Sequence, residues 1–216
     1  NDFSCSGIEK VAYTSIRCWR DYNPHRIQTL RQALGNSCNP AFIQLGQRIG
    51  ASKLYNYYQA FGLFEKTNSA FYGEANSNFW NLKDVGEVEL ATMSFGQRFT
   101  ITPLQLVTAV SSIANEGILV KPQIVKQTVD SSTGAISRTS VEEKRQVISK
   151  ETAETMLDLM EYVVEDGTGK YAQVSGYSVG GKSGTSEPLY ANTEEGYVAS
   201  FIGVAPISKP EVVILV

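Results

Sequence analysis

The chain has 216 residues, 42% of them hydrophobic and 19% charged, and its formal net charge is −3. This length suffices for one sizeable hydrophobic core. The mild acidity and the lack of a basic run give no reason to expect nucleic acid as a partner. No stretch of 18 or more apolar residues indicates a membrane-spanning helix.

The first 28 residues are predicted to be rich in loops, because Gly7, Asn23 and Pro24 are turn-forming residues. A helix is then predicted, followed by a tight turn at Ser37-Cys38-Asn39. A proline comes directly after this turn and suits the first position of the next helix.

Six helices are predicted from apolar residues spaced three and four apart and from capping signals. They cover residues 27–34, 40–49, 53–61, 87–94, 103–115 and 150–164. In the second of them, Phe42, Leu45 and Ile49 are expected to form the buried face. Residues 62–86 are rich in turn-forming residues and are predicted to be irregular.

The carboxyl-terminal half adds the strands. Residues 118–129 are predicted to be extended and 131–134 to form a hairpin turn. Strands are also predicted at 177–179, 197–204 and 211–216. Helices combined with an antiparallel strand set predict an α+β fold with the helices packed on one antiparallel sheet. Because the sequence starts abruptly and its last residues, 211–216, have the pattern of a strand cut off at its end, we interpret 1–216 as one part of a longer protein, truncated at both ends.

The sequence Gly180-Gly181-Lys182-Ser183-Gly184-Thr185-Ser186 concentrates polar and small residues on one extended segment. In a strand, Lys182 and Gly184 share one face, and Ser183 and Thr185 share the other. A glycine inside a strand lets another chain approach closely. Such a segment offers main-chain hydrogen bonds, a cation and hydroxyls to an extended ligand that bears a carboxylate.

A second motif, Ser37-Cys38-Asn39-Pro40, lies far upstream. Ser-x-Asn followed much later by Lys-Ser-Gly-Thr resembles the second and third signatures of the penicillin-binding proteins and serine β-lactamases. Phe95-Gly96-Gln97, Thr102-Pro103-Leu104-Gln105 and Ala114-Asn115-Glu116-Gly117 occur in the same order as in class B transpeptidases. Over essentially its whole length the chain is similar to the elongation-type and sporulation-type enzymes of Gram-positive spore formers.

This resemblance implies the penicillin-binding protein/serine β-lactamase-like fold and a serine D,D-transpeptidase that acts on D-Ala-D-Ala stem peptides. In the family, a Ser-x-x-Lys motif supplies the nucleophile and its base. No serine upstream of Ser37 has a lysine three residues later. The nucleophile is therefore expected before residue 1, and the chain alone is not expected to be active.

The resemblance also implies catalytic roles for three residues. Ser37 matches the serine that relays a proton between the catalytic lysine and the leaving amine. Asn39 matches the residue that bonds the substrate amide. Lys182 matches the cation that helps recognise the substrate carboxylate. As alternatives, Ser37 would be a helix-capping serine and Asn39 a turn asparagine.

The substrate-binding residues implied in the same way are Ser183, Gly184 and Thr185. The two hydroxyls would bind the carboxylate of the ligand. The main-chain N–H of Thr185 would be one of the two oxyanion donors, and the other would belong to the nucleophile.

The implied partners are the peptidoglycan stem peptide, β-lactam antibiotics, the remainder of the same transpeptidase domain, and a glycosyltransferase of the cell-wall machinery. The implied location is the extracytoplasmic face of the bacterial membrane, with an anchor upstream of the chain. A catalytically dead penicillin-binding or β-lactam-sensing module is the alternative function. A β-lactamase is disfavoured, because Thr102-Pro103-Leu104-Gln105 is similar to transpeptidases and no motif for a deacylating base is apparent.

The only three cysteines and the only histidine of the chain are Cys5, Cys18, Cys38 and His25. Three thiols and one imidazole make a complete tetrahedral zinc set. If Ser37 and Asn39 face the site, the side chain between them is expected to point into the body of the protein. Some clostridial transpeptidases are similar in carrying zinc near the active site.

Two alternatives to zinc remain open for the cysteines. The first is that all three are buried inert thiols, and the second is that two of them form a disulfide that leaves one over. Within the zinc interpretation, Asp21 is a possible substitute ligand.

Overall fold

The computed structural model describes residues 2–69, 72–186 and 196–216. Its strands are β1 (Phe3–Cys5), β2 (Ile8–Val11), β3 (Thr14–Arg17), β4 (Arg26–Gln28), β5 (Ile118–Val120), β6 (Gln127–Val129), β7 (Ile136–Arg138), β8 (Glu143–Gln146), β9 (Gly180–Ser186), β10 (Val198–Ala205) and β11 (Val212–Leu215). Its α-helices are α1 (Leu30–Gly35), α2 (Asn39–Ile49), α3 (Ala51–Ala60), α4 (Glu87–Met93), α5 (Pro103–Ala114) and α6 (Lys150–Glu165). None of the helices in this described part is both long enough and apolar enough to cross a bilayer.

The largest sheet has the strand order β11-β10-β9 and is antiparallel throughout. Helix α6 packs against β9 so closely that a Cβ atom at Gly180 would lie 3.0 Å from the main-chain carbon of Met160. Leu157, Met160 and Val204 form a shared hydrophobic cluster between this helix and the sheet. The predicted α+β fold, with helices packed on an antiparallel sheet, is confirmed.

The amino-terminal segment forms four short strands joined by loops, and the prediction of a loop-rich segment missed these strands. β1 pairs with β4, and β2 pairs with β3. In β1 the side chains of Phe3 and Cys5 are buried and that of Ser4 is exposed, as expected for a strand on a hydrophobic core. Strands of three or four residues contain too few positions for their alternation to be recognised in the sequence.

The first helix also begins later than predicted, because residues 26–28 belong to β4. Thr29 and Gln32 form a capping box in front of α1: the Thr29 hydroxyl accepts from the Gln32 N–H, and the Gln32 side chain accepts from the Thr29 N–H. These two bonds fix the start of the helix.

Helix α2 matches its predicted range within one residue, but its buried face is different. Phe42, Leu45 and Ile49 are only partly buried, and the fully buried positions are Pro40, Ala41, Ile43 and Gly46. A Cβ atom at Gly46 would overlap the Ser94 side chain just after α4. This close helix contact turns the smaller residues of α2 inwards.

The later helices are confirmed. Thr102 and Gln105 cap α5 with a capping box, and the Ser149 hydroxyl accepts from the Thr152 N–H at the start of α6. Residues 118–129 form two separate strands, since β5 pairs with β8 and β6 pairs with β7. The strand predicted at 177–179 is reduced to an isolated bridge between Val174 and Tyr177.

Candidate active site

The turn between α1 and α2 is built around Ser37, which has a left-handed backbone with φ of 49°. The Ser37 N–H donates to the Leu34 carbonyl and the Cys38 N–H donates to the Ala33 carbonyl, both at 3.1 Å. This is the Schellman arrangement, whose left-handed position usually holds glycine. The N-cap of α2 is Cys38. A serine at the left-handed position carries the steric cost of its Cβ, so local backbone preference does not explain its presence.

The side chains of the two motifs meet across the groove between the Ser37 turn and β9, which we call the cleft. Lys182 Nζ lies 2.8 Å from Ser37 Oγ and 2.7 Å from the main-chain oxygen of Ser183. An ammonium group can only donate, so the Ser37 oxygen accepts. The proton of the Ser37 hydroxyl is then free to be donated to a third group.

Burial lowers the pKa of Lys182 to about 8. Removing an ammonium group from water disfavours its charged form. A freely solvated lysine has a pKa of about 10.4. Lys182 is therefore mostly charged at neutral pH but loses its proton at a lower pH than a surface lysine does.

Asn39 begins α2 beside the same turn. Its Nδ2 donates to the main-chain oxygen of Arg17, at the end of β3, at 3.3 Å. This contact ties the second motif to the amino-terminal hairpin, and nothing in the sequence indicated it. Cys38, between Ser37 and Asn39, has 0% of its surface exposed, so its side chain points into the protein as expected.

The outer edge of β9 directs main-chain groups into the cleft. Phe201, in the central strand β10, exchanges both of its main-chain hydrogen bonds with Val216 on the far side of the sheet. Its partner in β9 is Ser183. Opposed residues of antiparallel strands alternate between bonded and non-bonded pairs. Ser183 and Thr185 therefore point their N–H and C=O groups away from β10, towards the cleft.

Gly184 is the small residue of this edge. A Cβ atom added there would lie 2.9 Å from Ser200 Oγ on β10, which is closer than side chains normally approach. The Ser200 hydroxyl would have to rotate to make room for a Cβ atom at position 184. Ser183 Oγ, next to it, lies 3.4 Å from the hydroxyl oxygen of Thr168.

Two residues outside the predicted site reach the same edge. Gln97 Nε2 donates to the main-chain oxygen of Thr185 at 3.1 Å. Thr168 approaches Ser183, and its N–H donates at 2.8 Å to the carbonyl of Gly35, two residues before Ser37. The sequence indicated Gln97 only as part of the Phe95-Gly96-Gln97 motif, and nothing in the sequence predicted that Thr168 would lie beside Ser183.

The three cysteines and the histidine come together beside the Ser37 turn. One possible ligand atom from each of Cys5, Cys18, His25 and Cys38 lies within 4.8 Å of all the others. The cysteines are buried free thiols, so no disulfide is formed. Asp21 lies outside this cluster and pairs with Arg17 at 3.5 Å.

The distances and charges of the cluster fit a zinc ion. Zinc–sulfur bonds of about 2.3 Å in a tetrahedron place the sulfur atoms roughly 3.8 Å apart. Contact with the Cys38 thiol lowers the pKa of Cys18, and the His25 ring acts in the same direction, which favours a thiolate. Cys18 Sγ lies 3.5 Å from His25 Nδ1. His25 Nε2 is buried without a hydrogen-bond partner among the described residues.

Comparison with known proteins agrees with this architecture. Residues 1–216 match the family model described as the penicillin binding protein transpeptidase domain. The chain is 40% identical over 219 residues to Stage V sporulation protein D of Bacillus subtilis, covering 100% of this chain and 34% of that protein. It is 30% identical over 202 residues to the probable peptidoglycan D,D-transpeptidase PenA of Neisseria gonorrhoeae, covering 91% of this chain and 32% of that protein. The chain thus spans about a third of the length of these relatives.

Solved structures show the same fold. The D,D-transpeptidase domain of a peptidoglycan glycosyltransferase from Eggerthella lenta superposes with a TM-score of 0.88 at 28% identity, over 100% of this chain and 54% of that one. Penicillin-binding protein 3 of Mycobacterium tuberculosis, complexed with ampicillin, superposes with a TM-score of 0.89 at 25% identity, over 100% of this chain and 49% of that one. Because the family model matches from the first residue to the last, the chain belongs to the penicillin-binding protein transpeptidase domain family, as part of a class B transpeptidase domain.

Proposed function

We propose that the chain is part of a peptidoglycan D,D-transpeptidase that cross-links stem peptides by serine acyl transfer from D-Ala-D-Ala, and that β-lactams acylate the same site. The observation that carries this proposal is the 2.8 Å contact between Lys182 Nζ and Ser37 Oγ. It joins two motifs whose residues and order match the family. A relative named as a D,D-transpeptidase and a structural neighbour complexed with ampicillin support it.

The acylation step uses a nucleophilic serine that this chain does not supply. No serine of the chain is followed by a lysine three residues later, so Ser-x-x-Lys would come from the remainder of the domain. The lysine of that motif takes the proton of its serine, the serine oxygen attacks the carbonyl carbon of the penultimate D-Ala, the bond to the terminal D-Ala breaks, and an acyl-enzyme ester remains. The same lysine then replaces the proton that Ser37 gives to the departing amine. Ser37 passes a proton to the departing amine, because Lys182 donates to its oxygen and leaves its own proton free. Asn39 holds the substrate amide beside this relay.

The edge of β9 would bind the carboxylate of the substrate and the oxyanion of the intermediate. The hydroxyls of Ser183 and Thr185 and the ammonium group of Lys182 hold the substrate carboxylate. The N–H of Thr185 points into the cleft and stabilises the oxyanion of the tetrahedral intermediate. One such donor is typically worth about 3 kcal/mol in the transition state. An amine of a second stem peptide then attacks the ester, forms the new amide and releases the serine.

This function places the domain on the extracytoplasmic face of a bacterial membrane, anchored through a part of the protein upstream of the chain. The glycan strands to be cross-linked would come from a glycosyltransferase, which we propose as a partner. The similarity to Stage V sporulation protein D favours a role in sporulation.

A fluorescent penicillin tests the proposal. The complete transpeptidase, with its Ser-x-x-Lys segment, should become covalently labelled, and the Ser37→Ala variant should be labelled far more slowly. Ser149→Ala is the matched control, because that hydroxyl only caps α6, and its labelling rate should equal that of the parent. An unlabelled complete protein would contradict the proposal and favour an inactive binding module. Covalent labelling of the isolated 216-residue chain would contradict the placement of the nucleophile.

We also propose that Cys5, Cys18, His25 and Cys38 bind a structural zinc ion. Four protein ligands complete a tetrahedral site and leave no position for a reactive water. The ion would link the amino-terminal strands to the Ser37 turn, because Cys38 directly follows Ser37. Zinc bound only by the folded protein stabilises that state.

The zinc content of protein purified without added metal is the decisive measurement. We expect about one zinc per chain, a lower melting temperature after chelation, and weaker β-lactam acylation because the turn is loosened. Cys18→Ser should act like chelation, whereas Ser4→Ala, an exposed neighbour of Cys5, should not. Less than about 0.2 zinc per chain, with three thiols reactive in the folded protein, would instead support buried free thiols.

A further inference from the structure

The loop after α4 aims the side chain of Gln97 at β9. Gly96 and Arg98, on either side of Gln97, have left-handed backbones with φ of 88° and 64°. The Gln97 N–H donates to the Thr92 carbonyl and the Gly96 N–H to the Met93 carbonyl, both at 3.0 Å. A left-handed backbone is unfavourable for arginine, and strain of this kind persists where the surrounding structure fixes it, frequently at functional sites.

The target of Gln97 is one main-chain group on the cleft side of β9. Its Nε2 donates to the Thr185 carbonyl at 3.1 Å. Within residues 2–69, 72–186 and 196–216, no strand pairs with this edge of β9. Gly184, directly before Thr185, has wide rotational freedom. Pairing with β10 orients residue 185 from one side, and the bond from Gln97 holds its main-chain groups from the open side of the strand.

We propose that Gln97 is a positioning residue for the oxyanion donor. By holding the Thr185 carbonyl it keeps residue 185 extended, with the Thr185 N–H on the same side and directed into the cleft. This inference rests on the proposed function, in which that N–H stabilises the oxyanion. Gln97 itself touches no reacting atom, so its loss should slow acylation without weakening the initial binding of the ligand.

Gln97→Glu is the sharpest test because it is nearly isosteric and replaces the donor by an acceptor. At neutral pH the carboxylate would repel the Thr185 carbonyl. Near pH 5 the protonated fraction of the side chain would again donate to that carbonyl, because the pKa of a glutamate is about 4.3. In the complete transpeptidase, stopped-flow mixing with a fluorescent penicillin separates the acylation rate constant from the dissociation constant. We expect the rate constant to fall about 5- to 30-fold at pH 7, less than the roughly 100- to 1,000-fold typical for removal of a whole oxyanion donor. In Gln97→Ala, which adds no charge near the ligand carboxylate, the dissociation constant should change by less than about 2-fold, because the lost bond does not involve the ligand.

The pH profile distinguishes positioning from general damage. The ratio of the Gln97→Glu rate constant to that of the parent should rise as the pH falls from 7 to 5, whereas the ratio for Gln97→Ala should be reduced and constant. Gln47→Glu, at an exposed position of α2, is the matched control and should behave like the parent.

Three outcomes would overturn the inference. They are parental rate constants in both Gln97 variants, a loss confined to ligand affinity, and a Gln97→Glu ratio that does not change with pH. If Ser37→Ala still impairs acylation in these cases, the proposed function stands and only the role of Gln97 is refuted. A parent protein that fails to react with penicillin would instead refute the proposed function.

Discussion

Replacing Ser37 by glycine should make the protein more stable than replacing it by alanine, while both changes slow acylation to the same degree. Both substitutions remove the hydroxyl that accepts from Lys182 at 2.8 Å. Only glycine also relieves the left-handed backbone at φ of 49°. Comparison of the two variants therefore separates the chemical role of the side chain from its conformational cost.

The size of the stability difference follows from the backbone alone. A left-handed conformation costs a residue with a Cβ atom about 1–2 kcal/mol. The greater freedom of glycine in the unfolded chain offsets about 0.4–1 kcal/mol of that gain. Taken at the midpoints of the two ranges, about 0.8 kcal/mol remains in favour of Ser37→Gly over Ser37→Ala. For a domain of this size, such a difference raises the melting temperature by roughly 1–4 °C.

The assay combines thermal unfolding with penicillin acylation in the complete transpeptidase. Loss of a general acid–base group typically slows a reaction about 100- to 10,000-fold, and we expect both variants in that range. If Ser37→Gly melts below Ser37→Ala, the left-handed turn is not a source of strain. If either variant acylates at the parental rate, Ser37 is not the proton relay.

Three further perturbations test the surroundings of the cleft. Since burial lowers the pKa of Lys182 to about 8, the rate of acylation should decline above that pH. The free energy of unfolding should rise from there towards pH 10.5, because in this range the lysine holds its proton in the unfolded chain but not in the folded one. Lys182→Arg stays charged and should shift the decline in acylation to higher pH. Gly167→Ala would place a Cβ atom 2.6 Å from the Gly35 carbonyl oxygen, so labelling should slow and the free energy of unfolding should fall by about 1–3 kcal/mol. Gly196→Ala, whose Cβ would have no atom of the described residues within 4 Å, should match the parent in both measurements. Thr102→Ala removes the capping bond of α5 and should lower the free energy of unfolding by about 0.5–2 kcal/mol in denaturant titration, with unchanged acylation as the sign that it acts on stability only.

The helices could be predicted because their signals are local. Thr102 and Gln105 are three residues apart and cap α5, and Ser149 caps α6 in the same way. The buried face of α2 was missed because it depends on a neighbour: Ser94 leaves no room for a side chain at Gly46. Such contacts between distant residues have no counterpart in the spacing of one helix.

In the candidate site, too, the local motifs could be predicted from the sequence and the contacts between distant residues could not. The motif residues were recognised from their order along the chain, and the structure brings Ser37 and Lys182 into contact. The bond from Asn39 to Arg17 and that from Gln97 to Thr185 join residues 22 and 88 positions apart. Their pairing is set by how the hairpin and the loop after α4 pack, which no local pattern encodes.

The contact between Ser37 and Lys182 also links catalysis to the order of folding. It joins residues 145 positions apart, and β9 gains its sheet only when β10, from the end of the chain, has paired with it. Contacts of such long range form slowly, because the entropy of closing the loop opposes them. Helices can therefore be complete while the cleft is still open. In a refolding experiment on the complete transpeptidase, covalent penicillin labelling should lag behind the recovery of helical circular dichroism and report the fraction of molecules with native topology.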